Sequence, residues 1–441
     1  MSGHSHHHGA SPVTVGEARR VRIVLAAIIV PIVLATLVGL ALLWPGKGSL
    51  VGSRPFAVGG SSMETATVTS TSVSDCEDSA KVLSGISNGS LLTDALCAEI
   101  TSGEGKGLVV PVHIPPESAR VAHPGDSMKV LYTPQALAGG TPYVFVDYQR
   151  SLPIGLLAAV YLVLVLAVAG KRGALSVLGL LMATAVLMGF MIPALLAGEN
   201  ALAVTLTGSL AMMLMAVYVA HGVSVRTTTA LLGTFAGVII TVLLALWGTS
   251  SSNLTGAVED TALTLNGLVG EAGVQLDLRA LLTCGMVVAG LGVLNDVTIT
   301  QASAVWELHA ANPAMPRGRL FTGGMRIGRD HIASTVYTLA FAYAGTALPL
   351  ILSAALIDRS VIDTLLSGEI GEEIVRTLVS SIGLVLAIPA TTAIATILCR
   401  TGGAGQSADG TKGLAGPGAA APEGPAQPPE TSDSASPSSS A

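Results

Sequence analysis

The sequence contains few charged residues. Asp, Glu, Lys and Arg make up 11% of the 441 residues, whereas about 25% is usual in a soluble domain. Half of the residues are hydrophobic, and the mean hydropathy is +0.67. Because a helix that spans a membrane needs about 20 mostly apolar residues, long apolar runs with so little charge indicate a polytopic α-helical membrane protein.

Several chemical signatures are also missing. The Gly-x4-Gly-Lys-Ser/Thr motif of phosphate-binding loops does not occur, so ATP-driven pumping by this chain alone is not expected. No basic patch indicates a nucleic-acid partner. An intramembrane aspartyl protease needs two facing acids, whereas Asp296 is the sole acid well inside any predicted span. We therefore expect a protein that is not an enzyme and that uses no cofactor.

Apolar segments long enough to cross a membrane are the main feature that is present. Eight are predicted, at residues 23–43, 152–170, 174–196, 201–220, 228–248, 280–300, 332–357 and 376–399. The first is too long for the apolar core of a signal peptide, and no small-x-small cleavage site follows it, so we expect an uncleaved anchor. The predicted fold has about eight transmembrane helices, seven of them in a membrane domain at 151–400.

Lys and Arg are distributed unevenly among the predicted loops. On the side of the N-terminus lie Arg19, Arg20, Arg22, Lys171, Arg172, Arg226, Arg317, Arg319, Arg326, Arg329, Arg400 and Lys412, whereas the three short loops or span ends on the other side hold only Arg279, Arg359 and Arg376. Cytoplasmic loops are enriched in Lys and Arg. We therefore predict a bacterial plasma membrane protein with both termini in the cytoplasm.

Residues 44–150 are predicted to form a small extracytoplasmic β-rich domain between the first two helices. The segments "LVVPVHI" (108–114), "MKVLY" (128–132) and "YVFVDYQR" (143–150) alternate or run apolar between turns, which is typical of short strands. A small β-barrel is the expected arrangement. The pattern leaves open whether residues 85–100 are helix or loop.

Only four cysteines occur in the chain. Cys76 and Cys97 share the predicted outer domain, where an even pair indicates a disulfide, the alternative being two unpaired thiols. The bridge would close a loop of about 20 residues and stabilise the fold by about 3 kcal/mol. Cys284 and Cys399 lie in predicted spans and are expected to be small core residues.

The two tails and one long loop carry weaker patterns. The predicted cytoplasmic tail 1–22 contains His4, His6, His7 and His8, a tract that either binds a metal ion or is an inert polar tail. The tail 401–441 is rich in Gly, Ala, Ser and Pro and is expected to be disordered. The loop 249–279 fits either an amphipathic helix at the membrane surface or a loop packed on the bundle.

The segment "GLGVLNDVTITQASAVWEL" (290–308) places polar residues at the end of an apolar span. Helical spacing puts on one face Gly285, Ala289, Gly292, Asp296, Thr300, Ser303 and Glu307. The next span has a similar face of His331, Thr335, Thr338, Ala342 and Gly345. Since small residues allow close helix contact, we expect these two faces to pair.

An acid inside the bilayer costs about 2.5–3.5 kcal/mol at its centre and commonly marks a path for an ion or substrate. The alternative is an acid that pins a helix end through hydrogen bonds. His221 and His331 lie at the same predicted depth and either join a proton path with Asp296 or cap helix ends. The residues predicted to form a polar transport path are Asp296, Asn295, Thr300, Ser303, His331, Thr335 and His221.

Three long motifs carry a resemblance to a known family. "LGVLNDVTITQASAVWEL", "MRIGRDHIASTVYTLAFAYAG" and "EEIVRTLVSSIGLVLAIPATT" resemble the YibE/YibF family of bacterial integral membrane proteins, as do "DYQRS" and "AHGVSVRTTT". The resemblance covers roughly residues 105–400. It implies a multi-span membrane domain with an outer β-rich domain and is compatible with transport. It supplies neither a substrate nor catalytic residues.

The leading functional expectation is a transporter or permease of a small solute or ion. Its partners would be the lipid bilayer and that unidentified solute or ion, with no nucleic acid, and an oligomer is compatible with the sequence. The alternative is a membrane scaffold or sensor that does not transport and whose outer domain binds a partner. Ligand binding by the outer domain without flux through the protein would distinguish the second from the first.

Overall fold

The computed structural model describes residues 15–46, 50–51, 60–79, 82, 94–134, 140–258, 260–356 and 360–402. The histidine tract of His4, His6, His7 and His8 lies outside the described residues. So do residues 403–441 of the predicted disordered tail and 85–93 of the undecided segment. Within the described part, long helices dominate and a small group of strands lies near the N-terminus.

Five strands form a closed barrel. They are β1 (Ser62–Ser70), β2 (Ala95–Ile100), β3 (Val109–His113), β4 (Ser127–Tyr132) and β5 (Tyr143–Tyr148), paired in the order β1-β2-β3-β5-β4. Only the β3–β5 pair is parallel among these described strands. The predicted β-rich domain is confirmed as this barrel, and its core consists of fully buried apolar side chains such as Leu96, Val110 and Met128.

Two of these strands were not predicted from the sequence. In β1 ("SMETATVTS") the buried apolar residues are the small Ala66 and Val68. The strand also buries a polar residue, Glu64, which accepts a hydrogen bond from the Ser62 hydroxyl. Such a weak apolar alternation does not stand out from a loop. Residues 95–100 of the undecided segment form β2, in which Cys97 is joined to Cys76 by a disulfide.

The helices follow the chain order. They are α1 (Val15–Leu42), α2 (Pro116–Ala119), α3 (Ser151–Val186), α4 (Ile192–Leu196), α5 (Ala201–His221), α6 (Val225–Ser251), α7 (Asp260–Glu271), α8 (Leu278–Ala311), α9 (Arg317–Thr346), α10 (Leu348–Ala355), α11 (Val361–Leu365) and α12 (Gly368–Gly402). A π-helical turn, Leu187–Met191, joins α3 to α4. The long loop 249–279 contains α7.

Six described helical segments are long and apolar enough to cross a membrane, and the pair α9 and α10 would be a seventh. One of the six, Ser151–Leu196, has 46 residues and would be about 69 Å long if straight, more than twice the thickness of a bilayer core. Gly170, at φ 55° and ψ −134°, breaks it. The break falls between the predicted spans 152–170 and 174–196 and separates them into two helices.

Two predicted spans lie within longer helical segments. The span expected at 280–300 is part of α8, which continues to Ala311, because "QASAVWELHAA" stays helical after the sequence becomes polar. The span expected at 332–357 lies in a helical segment that starts at Arg317 and bends by 63° between α9 and α10. Pro349 follows the bend. Its ring has no N–H to donate and would clash with the carbonyl group four residues earlier, so the helix cannot continue straight.

Apolar side chains cover much of the outer surface of the helices. Leu152, Leu157, Val168 and Trp247 are each exposed over at least 70% of their surface. A soluble protein rarely shows apolar patches of this extent, whereas lipid-facing helices do, since the surrounding lipid tails are as apolar as these side chains. The structure is therefore that of a helical membrane protein.

The centre of the bundle consists of α6, α8 and α12. Gly237 of α6 lies against Leu294 of α8 and Ala387 of α12, and Gly248 lies against Val375 near the start of α12. Thr234 of α6 also bonds to Thr298 of α8, so α6 is antiparallel to both partners. We call these three helices the central core.

The two ends of the bundle can be distinguished by the chain direction. Leu25, near the start of α1, packs with Leu398 near the end of α12 and with Val225 at the start of α6. We call this the N-terminal end of the bundle. The start of α8 and the start of α12 lie at the opposite end.

Candidate functional site

A polar cavity of about 450 Å³ lies at the N-terminal end of the bundle. Its described lining consists of Arg172, Ala220, His221, Ser224, Arg226, Thr227, Ala230, Ile299 and Ser303. We call it the arginine cavity. Its volume is within the range of roughly 300–1,000 Å³ that is usual for sites that bind small molecules.

The segment "AHGVSVRTTT" delivers several of these side chains at a turn between two helices. Gly222, at φ 72°, ends α5 in the left-handed region that favours glycine. Ser224 then caps α6, because its Oγ accepts a hydrogen bond from the Thr227 N–H at 3.1 Å. The tight turn thereby brings His221, at the end of α5, and Arg226, in the first turn of α6, to the same cavity.

Arg226 connects α6 to α8. Its Nε donates to Ser303 Oγ at 2.9 Å, and its Nη1 donates to Glu307 Oε1 at 3.2 Å. The Glu307 side chain is 71% exposed, so the ion pair lies at the rim and contributes at most about 1 kcal/mol to stability. What these two bonds fix is the position of the guanidinium group beside the cavity.

The predicted pairing of the two small-residue faces is wrong. A Cβ added at Gly285, Gly292 or Gly345 would meet no atom of the described residues within 4 Å. α9 contacts α8 through a different face, where Gly324 lies against Val305 and Gly328 lies against Gln301. Helical spacing shows which residues share a face, but it does not show which neighbour that face meets.

The exposed face of α8 nevertheless carries predicted residues in one line with the cavity. Asp296 is exposed and lies seven residues before Ser303, hence about 10 Å further along the same face. Within the described residues its carboxylate makes no hydrogen bond. Between them, Thr300 donates to the backbone carbonyl of Asp296 at 2.9 Å.

The other predicted path residues are scattered. His221 and Ser303 meet in the arginine cavity, while Asn295 points into the bundle, where its Oδ1 is buried. His331 is exposed on α9, and Thr335 donates to the carbonyl of His331 at 2.7 Å. The structure therefore does not bring His331 or Thr335 to the cavity.

A second polar feature is buried within the central core. Gln301, only 1% exposed, donates from Nε2 to the Gly324 carbonyl at 2.9 Å and to Thr392 Oγ1 at 2.7 Å. Thr234 and Thr298 are hydrogen-bonded at 2.6 Å between α6 and α8. We call the set Thr234, Asn295, Thr298, Gln301 and Thr392 the buried polar layer.

Two oxygens of this layer have no hydrogen-bond partner among the described residues. They are Asn295 Oδ1 and Gln301 Oε1, both buried. Burying such an acceptor without a partner costs about 1–3 kcal/mol. By contrast, Thr234 and Thr392 also donate to carbonyls one turn earlier in their own helices and so satisfy themselves. The transport path predicted from the sequence includes Asn295 but not Gln301, although both are amides within a membrane-length helix and share that signal.

An acidic cavity of about 510 Å³ lies at the opposite end of the bundle. Its described lining includes Asp260, Glu369, Glu372, Glu373 and Arg376. Glu372, 7% exposed, accepts a hydrogen bond from the Gly256 N–H at 3.1 Å, and Glu373 pairs with Arg376 at 3.1 Å. Across the described residues, no group of three or more His, Cys, Asp or Glu side chains could hold a metal ion.

The comparisons with known proteins give one match. The family model described as YibE/F-like protein matches residues 157–401, a range that contains both cavities and the buried polar layer. The resemblance that the sequence motifs predict is confirmed. No curated protein and no solved structure matches the chain.

Proposed function

The chain belongs to the YibE/F-like family, and we propose that it is a transporter or permease that moves a small solute or ion across the bacterial plasma membrane. The observation that carries the proposal is the arginine cavity, a polar recess that adjoins a core of membrane-length helices. Polar side chains continue from it into the bundle. Polar and ionisable groups at such depth are costly and commonly mark ion or substrate paths.

Two groups of side chains extend inwards from the cavity. On the exposed face of α8, Asp296 lies about 10 Å from Ser303 along the helix, and we assign to its carboxylate the role of carrying a coupling proton or ion. On the buried side, Asn295 and Gln301 offer oxygens with no partner among the described residues. These oxygens supply the acceptors that a polar solute or a cation would need inside the core.

The acidic cavity suits the proposal because it lies at the other end of the same core. α12 begins beside it and ends beside the start of α6. Between the two cavities the core is closed by packed apolar side chains such as Met286, Leu294 and Ile388. Transport in this scheme requires α6 to separate from α8 and α12, opening one cavity to the layer while the other stays closed.

The orientation is part of the same proposal. Arg172 and Arg226 lie at the N-terminal end of the bundle, and cytoplasmic loops are enriched in such residues. We therefore place the arginine cavity and both termini in the cytoplasm and the barrel and the acidic cavity outside. The lipid bilayer surrounds the exposed apolar helices.

The test is the metabolite and metal content of a deletion strain that is complemented with variants. Asn295→Leu removes a buried polar group whose Oδ1 has no described partner, so the protein should be as stable as the wild type or more stable. We expect it to reach normal abundance and to fail to restore the wild-type profile. The matched control is Thr249→Val, which removes a buried hydroxyl that bonds to the Ala245 carbonyl of its own helix. Full restoration by Asn295→Leu would exclude the buried polar layer from the path.

A further inference from the structure

The arginine cavity carries an excess of positive charge. Two of its nine described lining residues are arginines, whereas none is Asp or Glu. Glu307 compensates Arg226 only from the rim, where it is largely exposed to solvent. Two guanidinium groups that face one recess repel each other, and an anion between them would remove that repulsion.

The guanidinium of Arg226 is held in place by hydrogen bonds, but these bonds to described residues occupy only some of its N–H donors. It has five N–H donors in a planar fork, and among the described residues only the bonds to Ser303 and Glu307 use them, one donor each. The remaining donors stay on a group whose position is already fixed by those bonds. A fixed planar fork matches the geometry of carboxylate and phosphate oxygens.

The start of α6 adds neutral donors to the same place. The N–H groups of Val225 and Arg226 lie in the first turn of a 27-residue helix, where no carbonyl of the helix itself can accept from them. The helix dipole makes this end electropositive. The hydroxyl groups of Ser224, Thr227 and Ser303 line the same recess and can donate to an anion as well.

We infer that the arginine cavity binds an oxyanion, namely the phosphate, sulfate or carboxylate group of a small solute. Arg226 and the start of α6 hold one side of the anion, and Arg172 and His221 hold the other. That this oxyanion belongs to the transported solute rests on the function proposed above. The binding of the anion does not.

Inorganic phosphate is the probe for this inference. The purified full chain, in nanodiscs of phosphatidylcholine, is unfolded thermally at increasing phosphate concentration and constant ionic strength. We expect a saturable rise of the Tm. Arg172→Gln and Arg226→Gln should each weaken the apparent affinity by about tenfold or more, since each removes a charge-assisted contact. Arg319→Gln, an exposed arginine of α9 outside the cavity lining, should leave it unchanged.

Equal phosphate effects on the wild type, Arg172→Gln and Arg226→Gln would overturn the inference, and so would the absence of any effect. The Tm of each variant without phosphate shows whether it is folded. Conservative Arg226→Lys keeps the charge but loses the fork, so it should bind phosphate more weakly than the wild type and more tightly than Arg226→Gln.

A second arm separates a free solute from a lipid headgroup, because both present the same phosphate chemistry. The titration is repeated in nanodiscs that contain phosphatidylglycerol. A phosphate effect that persists there supports a free solute. If phosphatidylglycerol itself raises the Tm through Arg172 and Arg226 and abolishes the phosphate effect, the anion site stands but the solute assignment is overturned.

The inference and the proposed function can fail separately. Saturable phosphate binding through both arginines, together with a deletion strain of unchanged metabolite and metal content, would support the anion site and contradict transport. If the metabolite and metal profile of the deletion strain changes and the wild-type chain restores it, but the protein binds no phosphate, transport is supported and the oxyanion inference is overturned.

Discussion

Asp296 is the residue on which the proposed coupling depends. It lies on the exposed face of α8, and its carboxylate makes no hydrogen bond within the described part of the chain. An amide in its place therefore loses no hydrogen bond to the described residues and removes a charge that is costly in the membrane. Any loss of function in Asp296→Asn would follow from the missing ionisation.

We predict that Asp296→Asn reaches wild-type abundance in the membrane and does not restore the metabolite and metal profile of a deletion strain. The comparison variant is Thr322→Val, at an exposed position of α9 outside the predicted path, where the hydroxyl bonds to backbone carbonyls of its own helix. It should restore the profile. If Asp296→Asn restores it fully, Asp296 carries no coupling ion.

Part of the site could be predicted at the scale of single residues, and part could not. Helical spacing correctly put Asp296, Thr300 and Ser303 on one face of a helix. The contact of Ser303 with Arg226 joins residues 77 positions apart, and spacing along one helix contains no information about such a contact. Gln301 is absent from the predicted path because it lies on another face of α8 than the predicted stripe of small and polar residues. That other face is buried in the central core.

At the scale of the helices, glycine contacts decide which partners meet. The stripe of Gly285, Ala289 and Gly292 predicts a close contact, but Ala289 is exposed and a Cβ added at Gly285 or Gly292 would meet no described atom within 4 Å. Gly237 and Gly328, by contrast, lie in tight contacts and are not part of the predicted stripe. Glycine allows close approach, but tertiary packing determines where that approach occurs. Hydropathy likewise predicts the apolar spans but does not show where the helices end, since helices α8 and α9 extend into polar sequence.

We predict that Gly237→Ala destabilises the protein by about 1–3 kcal/mol, because overpacking of a filled core has this cost. An added Cβ would lie 2.6 Å from Leu294 Cδ1 and 3.0 Å from Ala387 Cβ. Thermal unfolding of the purified chain measures the effect. Gly292→Ala is the control, since it makes the same change on an exposed face of a helix and gains helix propensity alike. Equal Tm values for the two variants would contradict the proposed packing of the central core.

At the scale of the whole molecule, we predict that the N-terminal end of the bundle faces the cytoplasm. Glu117, exposed beside the barrel, should lie outside, and Gly318, exposed at the start of α9, should lie inside. In intact cells an impermeant maleimide should label Glu117→Cys, and it should label Gly318→Cys only after the membrane is opened. The native cysteines interfere little, because Cys284 and Cys399 are buried and Cys76 and Cys97 form a disulfide. Labelling of Gly318→Cys in intact cells would reverse the orientation.

The proposed transport is tested by measuring solute flux through the purified full chain in liposomes. The liposomes are loaded with a mixture of small phosphorylated, sulfated and carboxylated solutes and inorganic ions, and their contents are followed by mass spectrometry. We predict that at least one solute leaves faster than from liposomes that lack the protein. The double variant Arg172→Gln and Arg226→Gln should abolish this efflux, whereas Arg319→Gln should not. If liposomes that contain the folded protein retain every solute and ion as well as protein-free liposomes do, the proposed transport is contradicted.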